Sequence, residues 1–153
     1  MTTDTVSEKS SEQFNIQRIY LKDVSFEAPN TPAIFKTQWQ PTINIQLSAK
    51  NSYLEDNLYE VVLAITLTVN NGEKVAYLLE LQQAGLFFIH GIEGGHLARV
   101  LGAFCPTILF PYAREAISDL VGKGGFPQLW LAPVNFDALF DEAIQKQQAS
   151  LAP

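Results

Sequence analysis

A single cysteine, Cys105, gives this chain no means of forming an internal disulfide. Stability has to come from packing rather than cross-links, and a reducing, cytoplasmic setting is expected. Histidine is nearly as scarce. His90 and His96 stand in "HGIEGGH" with Glu93 between them. That spacing is not the i, i+4 arrangement of a helical metal pair, and no further histidine completes a site, so no metal is expected. Cys105 sits in the apolar stretch "AFCPTILF", which favours a buried, inert thiol over a nucleophile. "GIEGG" and "GKGG" are glycine-rich, yet neither fits the phosphate-loop pattern or leads from a strand into a helix as a dinucleotide site does. No catalytic constellation assembles. The chain is expected to be no enzyme and to use no cofactor.

Charge is thin as well. Asp, Glu, Lys and Arg make up 17% of the 153 residues, against roughly 25% in ordinary soluble domains. Apolar content is an ordinary 47%, so the surface must be rich in uncharged and apolar groups. Such a chain either oligomerises or keeps an apolar patch for a partner. The net charge of −6 argues against nucleic acid, whose binding rests on Lys and Arg, and leaves room for a basic protein partner. Long apolar runs are missing too. Val61–Val69 is interrupted by Thr66 and Thr68 and is too short to span a bilayer. The opening "MTTDTVSEKSSEQ" has no apolar core of a signal peptide, so neither export nor membrane insertion is expected.

What is present reads as one domain, 14–148, between a disordered tail at 1–13 and a short tail at 149–153. "NIQRIYLKDVSFEAPN", 15–30, is an extended strand whose alternation does not close. Ile16, Tyr20, Val24 and Phe26 fall on one side, while Ile19 and Leu21 share the other with Asp23 and Glu27. "TINIQLS" alternates cleanly through Ile43, Ile45 and Leu47, and "YEVVLAITLTVN" through Tyr59 to Val69, the mark of half-buried strands. Asn71-Gly72 then predicts a tight hairpin turn. The return strand "VAYLLELQQ" puts Leu78 and Glu80 on its outward face, and Gly85 suggests a bulge before "LFFIHGI". Helical spacing follows in 96–105, in 112–121 beyond Pro106 and Pro111, and in 134–148, where Asn135 or Asp137 helps the start. Strands first and helices after predict an α+β fold, with helices on one face of an antiparallel sheet.

Two proline-bounded connections, 28–41 and 122–133, carry Phe35, Trp39, Phe126, Leu129 and Trp130. They read either as lids over one hydrophobic core or as walls of an apolar groove. Two aromatic loops covering one closed pocket would instead suit a small apolar-ligand carrier or an enzyme.

"IQRIYLKDVSFEAPN", "DNLYEVVL", "CPTILFPYARE" and "GGFPQLWLAPVNFDALF" resemble, in order over residues 14–145, the signature segments of the SecB family of protein-export chaperones. The resemblance implies a four-stranded antiparallel, Greek-key-like sheet with helices on one face, assembled as a homotetramer built from two dimers. It implies an ATP-independent holdase that keeps preproteins unfolded and delivers them to the SecA translocation ATPase. For the client groove it points to Phe35, Trp39, Phe126, Leu129 and Trp130, with Ile43, Ile45 and Leu47. For SecA it points to Asp23, Glu27, Leu78 and Glu80 on the outer sheet face, where carboxylates beside an apolar residue suit a small basic, zinc-bearing tail. The ending "IQKQQASLAP" has Lys146 as its only charged side chain. It lacks the acid-rich tail of many relatives, so the sheet face would carry more of that contact.

Overall fold

The computed structural model describes residues 11–151. Most of the expected N-terminal tail therefore lies outside the described residues, as do the last two residues of the chain. Four strands form one antiparallel sheet: β1 (Gln13–Glu27), β2 (Pro41–Tyr53), β3 (Leu58–Asn71) and β4 (Lys74–His90). Their spatial order is β1-β4-β3-β2. Three strands meander by hairpins while β1 reaches the far edge by the long 28–40 connection, which is a Greek key run in reverse.

β3 shows the period-two pattern at its plainest. Val61, Leu63, Ile65, Leu67 and Val69 are buried and face the helices, and the residues between them face outward. The hairpin that follows is displaced by one residue from its expected place. Asn71 still pairs with Lys74, so the loop is Gly72-Glu73, and only Gly72 has positive φ, at 65°, as in a type II′ turn. Asn71 serves otherwise. Its buried side chain donates to Thr37 Oγ1 (2.9 Å) and to the Gln38 carbonyl (3.0 Å) and accepts from the Gln40 amide (2.7 Å), pinning the end of the long connection.

The irregular alternation of β1 resolves into two bulges. Ile16 faces Phe87 and Arg18 faces Leu86; Leu21 faces Gln83 and Asp23 faces Gln82. Gln17 and Lys22 are the inserted residues, and each insertion switches which parity points inward. The helix-side set is therefore Phe14 and Ile16, then Ile19 and Leu21, then Val24 and Phe26. Tyr20, expected beside Ile16 and Phe26, instead lies outward opposite Ala84, where its hydroxyl meets Glu60. Gln83, buried on the helix side, donates to the Tyr20 carbonyl at 3.1 Å beside the second bulge. Gly85 is not a bulge. It pairs regularly with Ile19 and Val61, and a Cβ there would come within 2.6 Å of the Phe87 ring, so the position admits only hydrogen.

The helices also differ from the expected two segments. α1 (Gly94–Arg99), a π-helical turn at Val100–Phe104 and α2 (Cys105–Lys123) run on without interruption, with Pro111 inside α2. An internal proline costs about 3 kcal/mol. Leu109, Phe110, Ala113, Ile117 and Val121 are buried along the same helix, each large side chain contributing about 1.5–3 kcal/mol, which outweighs the break. α3 (Phe136–Leu151) begins at Asn135, whose Oδ1 accepts the Ala138 amide at 3.0 Å; Asn135, not Asp137, is the cap. It continues through 149–151, where a tail was expected. No described helix is long and apolar enough to cross a membrane.

Candidate functional site

The connection between β1 and β2 is tied down at several points. Asn30 Nδ2 donates to the Val75 carbonyl at 2.9 Å, Ile34 is buried, and a short 3-10 turn spans Ala33–Lys36. These anchors present the aromatic residues. Phe126 is buried and acts as a hub, with ring centroids 5.2 Å from Phe35, 5.8 Å from Trp39, 4.8 Å from Tyr77 and 6.5 Å from Phe26. Phe35 is 50% exposed, while Trp39 and Leu129 are partly buried against the core. Phe126 thus lies beneath the expected groove rather than on its wall. Trp130, 63% exposed, lines a different hollow of about 450 Å³ with Ser118, Asp119 and Gln128 beside α2.

Ile43, Ile45 and Leu47 face the same side as Val69, Leu67 and Ile65, yet they belong to an edge strand that the helices do not reach across. Ile43 is 46% and Ile45 38% exposed. Leu47 enters a larger cleft of about 640 Å³, bounded by β2, the α1–π segment and α3. Leu97, Leu101, Phe136, Leu139 and Phe140 contribute to it. Sequence reasoning missed this cleft. The apolar spacing of both helices was visible, but spacing alone does not say which part of a stripe stays uncovered.

α3 is held across the cleft by few contacts. Arg99 reaches Asp137 (3.2 Å) and Asp141 (2.5 Å) and lies 4.8 Å over the Phe140 ring. Phe140 in turn rests on Gly102, where a Cβ would meet the ring at 2.6 Å. Cys105 is fully buried, and burial pushes its thiol up to about 12, so it is held protonated. Among the described residues no three metal-ligating side chains converge.

The opposite face of the sheet mixes polar and charged residues with Val62, Leu78, Leu86 and Phe88. Glu27 stands opposite Leu78, Ser25 opposite Glu80 and Asp23 opposite Gln82. Glu27, Leu78 and Glu80 surround a shallow dent of about 130 Å³ with Ser25 and Thr66; Asp23 lies on the same face beyond it. Further along, Lys22 Nζ donates to Glu60 at 2.8 Å and the Tyr20 hydroxyl donates to the same carboxylate. The hydrogen bond from Lys22, followed by that from Tyr20, holds Glu60 below the usual carboxylate range. Burial, reinforced by Glu60, pushes Tyr20 up to about 12.

The model of the family described as preprotein translocase subunit SecB matches residues 7–147. The protein-export protein SecB of Marinobacter nauticus is 56% identical over 140 residues, spanning 92% of this chain and 85% of the relative. That of Pseudomonas savastanoi pv. phaseolicola is 54% identical over 142 residues, spanning 93% and 88%. Among solved structures, a SecB-like chaperone of Mycobacterium tuberculosis, in complex with a ChAD peptide from an antitoxin, shares the fold. Its TM-score is 0.65 at 20% identity, covering 79% of this chain and 90% of that one. None of these relatives supports an apolar-ligand carrier or a pocket enzyme. With a matching sheet, helices and sequence over nearly its whole length, the chain belongs to the SecB family of protein-export chaperones.

Proposed function

We propose that the chain is an ATP-independent cytoplasmic holdase that keeps preproteins unfolded and hands them to the SecA ATPase, working as a homotetramer. The observation that carries this reading is the uncovered helix-side row of β2. Ile43 and Ile45 stay open to solvent next to a pinned loop that displays Phe35 and Trp39. An unfolded segment laid there gains apolar burial of about 25 cal/mol per Å² whatever its sequence, which suits many clients and no single one. Leu47, Leu129 and Trp130 extend the surface, with Phe126 as its rigid support. Client binding competes with client collapse for the same apolar groups, so it delays folding by mass action.

SecA docks on the other face, at Asp23, Glu27, Leu78 and Glu80. The carboxylates attract and orient a basic segment, and Leu78 adds desolvated contact. The two functions sit on opposite sides of one sheet and can be separated by substitution. The test is refolding of a slow-folding preprotein with stoichiometric chaperone. The wild type should slow it, and Trp39→Ala should slow it about three- to tenfold less effectively, the scale of losing an aromatic contact. Asp23→Lys with Glu80→Lys should leave that delay intact while weakening SecA binding at low salt. An unchanged refolding rate with the wild type would overturn the holdase reading.

A further inference from the structure

The outer face of the sheet carries two poles of opposite sign. Reading the pairings across all four strands, one row is Ser25–Glu80–Thr66–Gln46 and the row two pairs away is Asp23–Gln82–Ala64–Ser48. The next in that direction is Tyr20–Ala84–Val62–Lys50. Asp23, Glu27 and Glu80 make the acidic pole near the β1 side. Lys50 stands at the β2 side, in a hollow of about 360 Å³ with Ser48, Ser52 and Gln82. Lys22 and Glu60 also border that hollow, but they are paired to each other at 2.8 Å and Tyr20 completes the carboxylate's bonding. Lys50 is exposed and makes no ion pair among the described residues. Within this hollow its charge, with hydroxyl and amide groups around it, is the one left to a visitor. Arg18, the other outward-facing cation without an ion pair among the described residues, stands three strands away opposite Leu86.

Four residues along β4 and two strands across separate Glu80 from the Lys50 row, roughly 16 Å at standard strand rise and spacing. That exceeds the screening length of about 8–10 Å at moderate salt, so the poles act as separate contacts rather than one smeared field. Between them lie Ala64, Thr66 and Ser48, with Gln82 and Val62 beside them, and none of these side chains carries a charge.

We propose that this face takes a partner segment of two signs: basic residues over Asp23, Glu27 and Glu80, then, after about five extended residues, a carboxylate over Lys50. This deepens the docking reading above and rests on it. The acidic pole alone attracts a basic segment in either direction along the sheet. A carboxylate contact at Lys50 fixes the direction, and it favours two-signed segments over merely cationic ones.

Two synthetic unstructured peptides test it. One has a lysine cluster followed, about five residues on, by glutamates; the other has glutamines in place of the glutamates. Their binding is measured at near-physiological salt to the wild type, Lys50→Glu and Glu80→Lys. The two-signed peptide should bind the wild type about two- to fivefold tighter, the yield of one exposed pair. Direction makes this diagnostic. The chain's net charge is −6, so long-range attraction favours the all-cationic peptide, and only a local contact reverses the order. Lys50→Glu should abolish the advantage while leaving the glutamine peptide within about twofold, given screening over that distance. Glu80→Lys should weaken both. Equal binding of the two peptides to the wild type, or an advantage that survives Lys50→Glu, overturns this inference and leaves basic docking standing. If neither peptide binds the wild type, the docking reading itself falls, and this one with it.

Discussion

At the scale of single residues, the Glu60, Lys22 and Tyr20 cluster carries a pH signature. Glu60 accepts from Lys22 and Tyr20, which holds its carboxyl below the ordinary value of 4.5. Folding then favours the ionised form, so the stability it contributes is present above about pH 4.5 and is lost as pH falls through the lowered folded value. Tyr20 acts at the other end. Its raised value, about 12, gives a contribution that is full below pH 10 and lost as pH rises through 12. Glu60→Gln should cost about 1 kcal/mol or less at neutral pH, as for other exposed pairs. Urea midpoints of the variant and wild type should converge between pH 5 and 3, because the variant has no charge left to lose. A gap that is constant across that range would show that the charge of Glu60 is irrelevant to stability. The sequence displayed all three residues but not their meeting, since Tyr20 was assigned to the inward face. Bulges leave no mark in composition, so parity counted through Gln17 and Lys22 came out wrong.

Among the longer helices, α3 is less deeply buried than α2. Phe136 is its only buried residue, and Arg99 with its two aspartates holds it from outside. Gly102 decides how closely it approaches, because the Phe140 ring occupies the place of a side chain. Gly102→Ala should push α3 outward at a cost of about 1–3 kcal/mol, the usual range for overpacking. Amide exchange should accelerate across 136–151 while the β3 and β4 amides stay protected; unaltered exchange in α3 would mean that the ring slides aside without moving the helix. The existence and type of nearly every element were legible, because β2 and β3 alternate without a break and α3 repeats at helical spacing. Joined helices were not. Pro106 and Pro111 signal a stop locally, and only the continuous buried stripe from Leu109 to Val121 shows why the helix continues. The 640 Å³ cleft was illegible for a related reason: β2, α1 and α3 are distant in sequence, and their apolar residues look like ordinary core until the helices prove too few to cover the sheet.

For the whole molecule, uncovered apolar residues of the sheet's helix side fall at both its edges, and others, Phe35, Phe104, Trp130 and Leu139 among them, lie on the loops and helices. Ile16, Leu21 and Val24 are exposed on the helix side of β1, and Ile43 and Ile45 on that of β2. The low charged fraction read from the sequence thus has a location. One chain cannot cover both edges, and an apolar surface of this extent calls for other copies or for clients. Light scattering should give a mass near four chains, and a monomer at working concentration would remove the assembly from the proposal. In the proposed function client capture and SecA docking depend on different faces of the same sheet, so a loss of both from one outer-face substitution would indicate a damaged fold rather than a shared site.

The two insertions in β1 make its length a softer constraint than its composition. Thirteen of its fifteen residues pair with β4, and with Gln17 and Lys22 set aside those thirteen alternate without error. Losing either insertion would straighten the strand while every neighbour kept its side of the sheet. Losing a paired residue such as Ile19 would turn inside out whatever lies between the gap and the nearest bulge. Over evolutionary time such a strand can shed or gain a residue at two places and almost nowhere else.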